Sequence, residues 1–285
     1  MRTLLVPVDF TQTSDNAVDY AADFCRQFNY QRIILLKSFY DTVFDEVVMA
    51  AEYGGVSADF RSKEHEDANE RLEQLGKKLM SQNENLQVIA ITSELPLMRA
   101  IAQVISDEEP RAILVGSDNN AYDSDSYVSG HVIQIARSSP VNVIVVPAGQ
   151  LFEPIKEVLI PVDTFTKGSL AKLDEVGNRP YLGKMKLNIL KFNTANSKEI
   201  EQQHLAEDEE LHHTLSYANH ELFSGSETKA IDAVINFIKQ HPVQLILALP
   251  GKYSFLYRLT HQLIAEAICS NTEKPVLIVK QFLAG

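Results

Sequence analysis

The sequence predicts an α/β protein built from two tandem, doubly wound, open parallel sheets. Apolar runs of strand length alternate with segments of helical periodicity along all 285 residues. The run LLVPVD at residues 4–9 recurs as VLIPVD at 158–163. Two later pairs of runs recur 133 residues apart: 112–116 with 245–249, and 142–146 with 275–279. Two divergent copies of one domain explain these spacings better than short solenoid repeats do.

The first copy contains five predicted strands and four predicted helices. The alternation of strands and helices is clearest at residues 112–148, where a buried strand, a glycine-containing loop, a helix and a second buried strand follow one another. Pro140 ends this helix before the last strand. The predicted strands are 3–8, 32–38, 86–92, 112–115 and 142–146, the predicted helices are about 14–28, 58–81, 96–107 and 130–137, and 39–56 is irregular.

The second copy repeats this order. The predicted domains are 1–148 and 156–285, joined by a short linker at 149–155, with the second domain shorter and more divergent. The predicted strands are 157–162, 184–191, 217–223, 245–249 and 275–280, and the predicted helices are about 168–176, 198–215, 227–240 and 258–270.

Composition and charge exclude several classes of function. Of the net charge of −12, the first 150 residues hold −10, which leaves no basic surface for nucleic acid. No apolar run is long enough for a membrane span and no signal peptide is visible, so a cytoplasmic protein is expected. Cys25 and Cys269 lie in apolar helical contexts, which favours buried thiols over a disulfide or a metal site.

The starts LLVPVD and VLIPVD, the strand ending VGS and the late SPVNVIVV resemble the universal stress protein family, as a tandem two-domain member. The resemblance implies an adenine nucleotide alpha hydrolase-like sheet of order 3-2-1-4-5. Ligands of such a sheet bind where the order reverses, between strands 1 and 4. It also implies pairing of the two domains through their last strands, by Val143, Ile144, Val145, Val276, Leu277 and Ile278.

Members of this family that bind ATP carry the pattern G-x2-G-x9-G-[ST] after strand 4. Gly116 fits the first position, but Asn119, Ser129 and Gly130 occupy the other three. A shift by one residue makes Gly130 the third glycine, followed by His131. In the second copy Leu249 stands at the first position and Gly251 lies one place before the second, so no glycine is in register.

The candidate ligand-binding residues surround this crevice, and several roles remain open. Asp9 either binds an adenine or ribose, as the resemblance implies, or caps the turn at Thr11 to Ser14. His131 is expected to start a helix and not to act as a catalyst. The candidate residues are Val8, Asp9, Gly116, Ser117, Ser129, Gly130 and His131.

Electrostatics argues against a free triphosphate in this crevice. Asp118, Asp123 and Asp125 follow strand 4 without a Lys or Arg before Gly130. A bound Mg²⁺ would reverse this, but the calcium-loop spacing is absent and a solvated acidic loop is expected.

Two further groups of residues could form sites. The basic loop of Lys252, Tyr253 and Arg258 is either an anion site or ordinary surface. The spacing of His204, His212 and His213 argues against zinc.

The sequence therefore predicts a stress-response binding or signalling protein with a degenerate nucleotide site. No catalytic or metal-ligating constellation is visible, so an enzyme is not expected. The alternatives are an adenine-nucleotide binder with slow hydrolysis in the first domain, and a purely structural interaction module. The expected partners are the other domain, a small-molecule ligand and a second copy in a homodimer.

Overall fold

The computed structural model describes residues 1–39, 58–118, 127–162, 184–192, 209, 211–216, 218–225, 230–249 and 273–280. The chain divides into two compact units, Met1–Phe152 and Glu153–Gly285. Each unit is built on a parallel β-sheet and is described by itself below. In the described ranges, no helix combines the length and apolarity that a bilayer crossing requires.

The first unit has a five-stranded sheet of order β3-β2-β1-β4-β5, with every described pairing parallel. This confirms the predicted order 3-2-1-4-5. The chain moves outward from β1 in one direction and returns to β4 on its other side, so a crevice opens where β1 and β4 end. The strands are β1 (Thr3–Val8), β2 (Arg32–Ser38), β3 (Gln87–Ser93), β4 (Ala112–Ser117) and β5 (Asn142–Pro147).

Helices cover both faces of this sheet. The first two lie on the same face and are joined by an ion pair of 2.5 Å between Lys78 and Asp19. Because parallel crossovers are right-handed, the later helices lie on the opposite face. The helices are α1 (Gln12–Phe28), α2 (Ala58–Gln82), α3 (Leu97–Glu108), α4 (Tyr127–Gly130) and α5 (Val132–Ser138).

The helix predicted over 130–137 is present as α5, which begins two residues later than predicted, and a separate short helix, α4, precedes it. The amide of His131 donates to the carbonyl of Val128 at 3.0 Å, which closes α4 with a tight turn. His131 then serves as the N-cap residue of α5, with φ −101° and ψ 0°. The turn begins earlier than predicted because the amide of Val128 is satisfied by Asp9, a contact that no local pattern reveals.

The second unit repeats the order as β8-β7-β6-β9-β10, again with parallel pairings. The predicted helices over 168–176 and 258–270 lie outside the described residues, as does most of the one over 198–215. The described elements are β6 (Glu157–Val162), β7 (Lys186–Phe192), β8 (His220–Gly225), α6 (Ala230–Gln240), β9 (Leu245–Ala248) and β10 (Val276–Ile278).

Strand β8 starts three residues later than predicted. The amide of Ala218 donates to the carbonyl of Leu215 at 2.9 Å, which extends the preceding turn. The core of this unit is formed where α6 packs on the sheet. Its buried members are Leu159, Leu190, Ala233, Val234, Phe237, Val243, Ile246, Ala248 and Val276.

Candidate functional site

The candidate site lies in the first unit, at the carboxyl ends of β1 and β4. Val8 ends β1 and is buried, and Asp9 follows it at the mouth of the crevice. On the other side, Gly116 and Ser117 end β4. The predicted residues of both strands are therefore brought to one place by the parallel pairing of β1 with β4.

Asp9 has both carboxylate oxygens engaged by the protein. Its Oδ1 accepts a hydrogen bond of 2.6 Å from the Thr11 hydroxyl and one of 3.2 Å from the Thr11 amide. Its Oδ2 accepts a hydrogen bond of 2.9 Å from the amide of Val128. The side chain thus caps its own turn and also crosses the crevice to the first turn of α4.

Thr11, and not Asp9, is the residue that caps α1. Its hydroxyl oxygen accepts a hydrogen bond of 3.3 Å from the amide of Ser14. The Ser14 hydroxyl donates to the Thr11 carbonyl at 3.1 Å and accepts from the Asp9 amide at 3.4 Å. The turn between β1 and α1 is therefore held by side chains of the sequence DFTQTS itself, a pattern typical of helix starts.

A second contact joins the end of β4 to α4. The Ser129 hydroxyl accepts a hydrogen bond of 2.9 Å from the amide of Asp118 and donates one of 2.9 Å to the Asp118 carboxylate. Ser129 itself is buried, with 5% of its surface exposed. Asp118 and Ser129 stand on either side of 119–126, which include Asp123 and Asp125 and lie outside the described residues.

Gly116 is required by the packing of α1. A Cβ atom at this position would lie 2.5 Å from the backbone oxygen of Thr13 and 3.0 Å from its Cγ2. No side chain fits at such distances without moving the start of α1. The one strict match to the family's glycine pattern thus has an architectural explanation that needs no phosphate.

The remaining candidates differ in how much room surrounds them. Gly130 is exposed, and a Cβ atom there would meet nothing within 4 Å. Ser117 is buried, and its carbonyl accepts a hydrogen bond of 2.7 Å from the Ala148 amide. His131, half-buried, follows Gly130 and makes no side-chain cap bond to α5. Of these candidates, Gly130 therefore faces open space.

Negative charge extends from this crevice along α1. Burial raises the pKa of the Asp15 carboxyl, and Arg71 and Lys78 oppose the shift while Asp19 and Asp9 add to it. The Oδ1 atom of Asp15 is buried without a hydrogen-bond partner. The first turn of α1 thus presents a carboxyl that the fold does not fully satisfy.

The residues predicted to pair the domains lie on the last strand of each sheet. Val143, Ile144 and Val145 are buried in β5. In β10, Val276 is buried while Leu277 and Ile278 are half-buried. Pairing of the two units through these residues stays a prediction.

The other candidate residues lie partly within and partly outside the described part of the chain. Cys25 is buried, which raises the pKa of its thiol to about 12. Cys269, His204 and the Lys252, Tyr253 and Arg258 loop lie outside the described residues. Among the described residues, no group of three or more His, Cys, Asp and Glu side chains could hold a metal ion.

One histidine contact was missed by sequence reasoning. Nδ1 of His212 lies 2.7 Å from Nε2 of His220. The second nitrogen of His220 lies 3.0 Å from the Ala218 carbonyl oxygen. The two histidines are eight positions apart and meet only because β8 follows a tight turn, so helical spacing could not reveal them.

A comparison with known families matches residues 1–147 to the model of the universal stress protein family. The chain belongs to the universal stress protein family. The first unit, with its 3-2-1-4-5 sheet, is the part that the family model matches directly. No match was found among curated proteins.

Solved structures share the fold along nearly the whole chain. A universal stress protein from Archaeoglobus fulgidus is 14% identical, with a TM-score of 0.69, and the match covers 98% of this chain and 96% of that one. A putative universal stress protein from Pseudomonas aeruginosa, 14% identical, gives a TM-score of 0.59 over 98% and 93% of the two chains.

The cytoplasmic domain of a prokaryotic cation chloride cotransporter is also similar. It is 12% identical, with a TM-score of 0.54 over 99% of this chain and 97% of that one. At such identities, these likenesses show the fold and leave the function to the residues of the site.

Proposed function

We propose that the protein is a stress-response binding or signalling protein whose nucleotide site is degenerate. The observation that carries the proposal is the contact between Asp9 and the Val128 amide, 2.9 Å long. The backbone amide at the first turn of α4 is the kind of donor that a phosphate would need. Here a carboxylate of the protein itself takes that donor.

The charge of the crevice supports the same proposal. Asp9 and Asp118 both place carboxylates at the carboxyl ends of β1 and β4. The end of a helix supplies only about half of a positive charge, and a helix as short as α4 supplies less than a long one. A triphosphate would therefore meet net repulsion unless a cation came with it.

The carboxylates of Asp9 and Asp118 favour a ligand with little or no negative charge. The room beside Gly130, where a Cβ atom would meet nothing within 4 Å, leaves space for a small group. Adenosine, or a ligand with one negative charge, suits this crevice better than ATP. Binding of ATP with slow hydrolysis remains the second candidate function, and a structural module without a ligand remains the third.

Thermal shift measurements with adenosine, AMP and ATP, each with and without Mg²⁺, distinguish the three. We expect adenosine to stabilise the protein more than ATP without Mg²⁺ does. Asp118→Asn should increase the shift with ATP, because it removes one opposing charge while keeping a side chain of the same size. Strong stabilisation of the wild type by ATP without Mg²⁺ would refute the proposal, and no shift with any ligand would favour the structural module.

Mass spectrometry of small molecules released from the purified protein complements this test. A co-purifying adenine nucleoside would support the proposal, whereas a stoichiometric nucleoside triphosphate would support the second candidate function.

A further inference from the structure

The first unit buries a lysine to which the described residues supply no counter-charge. Lys37 lies one residue before the end of β2 and is only 8% exposed. Its ammonium lies 5.7 Å from the ring centroids of both Phe10 and Phe39. Within the part of the chain that the structure describes, it makes no hydrogen bond or ion pair. Aromatic faces attract a cation but cannot neutralise it, so the ammonium lacks the partner that a buried charge requires.

The groups around Lys37 form a framework of aromatic rings and a second cation. The Arg71 guanidinium lies over the Phe10 ring, 4.5 Å from its centroid, and donates a hydrogen bond of 3.2 Å to the Phe10 carbonyl. The His65 ring stacks on Phe39 at 4.0 Å and pairs with Glu94 at 3.0 Å. The carboxylate of Glu94 is thus directed to His65.

Phe10 is held in this framework in a strained conformation. Its φ of +64° is in the left-handed region that a bulky residue rarely adopts. This conformation places the ring beneath both Lys37 and Arg71. Backbone strain of this kind persists only where the surrounding structure holds the residue in place, and it is typical of functional sites.

The internal duplication keeps the same lysine in the second unit. Lys191 lies one residue before the end of β7 and is 4% exposed. Lys37 is paired with Val8 of β1, and Lys191 is paired with Val162 of β6, which is the same register. A buried lysine is costly, so its presence at matching positions of two divergent copies indicates a role.

We propose that Lys37 is the centre of a binding site for a small oxyanion, a phosphate or a carboxylate, framed by Phe10, Phe39 and Arg71. Such an anion would supply the counter-charge that the rings cannot. The residues come from the β1–α1 turn, β2 and α2, and none comes from β4 or α4. The site adjoins the crevice of Asp9, because Lys37 is paired with Val8, but it uses none of the residues at the end of β4. The proposal therefore does not rest on the proposed nucleotide chemistry.

The test is a titration of the full chain with inorganic phosphate, followed by the ³¹P line width, and with acetate, followed by the ¹H line width. The two arms distinguish phosphate from carboxylate as the preferred oxyanion. We expect one of the anions to bind at millimolar concentration. Lys37→Gln should weaken this binding roughly tenfold or more, as loss of a charged hydrogen-bond donor does, while Lys37→Arg should retain most of it.

Lys77→Gln is the matched control, because Lys77 is an exposed lysine of α2 that pairs with Glu73. It should leave anion binding unchanged. Lys37→Met serves as a second neutral variant should Lys37→Gln fold poorly. The proposal is overturned if neither anion binds the wild type. It is also overturned if the neutral variants bind the anion as tightly as the wild type does, because the anion would then lie elsewhere.

Discussion

The carboxylate of Asp9 accepts a hydrogen bond of 2.9 Å from the amide of Val128, although 119 residues separate the two in the chain. The contact joins the turn after β1 to the helix after β4, across the place where open α/β sheets bind ligands. An aspartate whose two oxygens already accept hydrogen bonds from its own protein has fewer acceptor sites left for a ligand. The predictions below begin with this contact.

Asp9→Ala should lower the free energy of unfolding by about 2 kcal/mol, because it leaves the amides of Val128 and Thr11 without their acceptor. Urea denaturation of the variant and the wild type measures the change. Asp107→Ala is the control, since Asp107 is exposed near the end of α3 and should have little effect. Equal stability of Asp9→Ala and the wild type would show that the contact contributes nothing in solution.

Gly116→Ala should destabilise the protein, whereas Gly130→Ala should not. The new methyl group at position 116 would lie 2.5 Å from the Thr13 carbonyl oxygen, which should cost about 2 kcal/mol or more. The methyl group at position 130 meets nothing within 4 Å, so a helix-favouring alanine should be neutral or stabilise by up to about 1 kcal/mol.

Thermal unfolding of both glycine variants without ligand checks this prediction. If Gly116→Ala is as stable as the wild type, the start of α1 can move. Packing would then not explain Gly116, and phosphate binding would again be the explanation for this glycine. Gly130→Ala also separates stability from binding, because any loss of ligand in a fully stable variant would assign Gly130 to the site.

Asp15→Asn should stabilise the protein at neutral pH, and the gain should shrink in acid. Burial raises the pKa of the folded carboxyl above its ordinary value of 3.8, so the ionised form is disfavoured by folding. The penalty is fully present above the folded pKa and disappears as pH falls below the unfolded one.

Denaturation of wild type and Asp15→Asn at several pH values between 3 and 7 measures the difference. Asp107→Asn, which changes an exposed carboxyl, is the control for general charge effects. An advantage of Asp15→Asn that stays constant with pH would contradict the explanation by burial.

Asn188→Val should stabilise the second unit by about 1 kcal/mol. Asn188 is fully buried in β7, and its Oδ1 has no hydrogen-bond partner. The matching position of β2 is Ile34, so the fold accepts a β-branched apolar residue there. The variant loses one bond to Glu157, whose carboxylate is partly exposed, but removes an unsatisfied buried oxygen.

Chemical denaturation of the full chain, followed by a probe in the second unit, tests this expectation. Asn188→Ala is the control, because it removes the same oxygen but leaves a cavity and should lower stability. Destabilisation by both variants alike would show that the Asn188–Glu157 contact outweighs the unsatisfied atom.

The sequence by itself determined the sheet of the first unit. β1 and β2 begin and end where apolar runs and turn residues predicted, since these strands are buried along their length and local hydrophobicity is a strong signal. The repeat of LLVPVD as VLIPVD likewise predicted a second parallel sheet, because strands that are buried to the same extent keep similar apolar runs. The family followed from the same short patterns.

Only the tertiary structure decided how the site is used. The bond from Val128 to Asp9, the near contact between Gly116 and Thr13, and the approach of Lys37 to the Phe10 ring all join residues far apart in the chain. A local pattern records which residue types are present, but not which donor or carbonyl oxygen lies opposite them. The first turn of α4 was likewise not predicted, because the Asp9 carboxylate that holds the Val128 amide comes from another strand end.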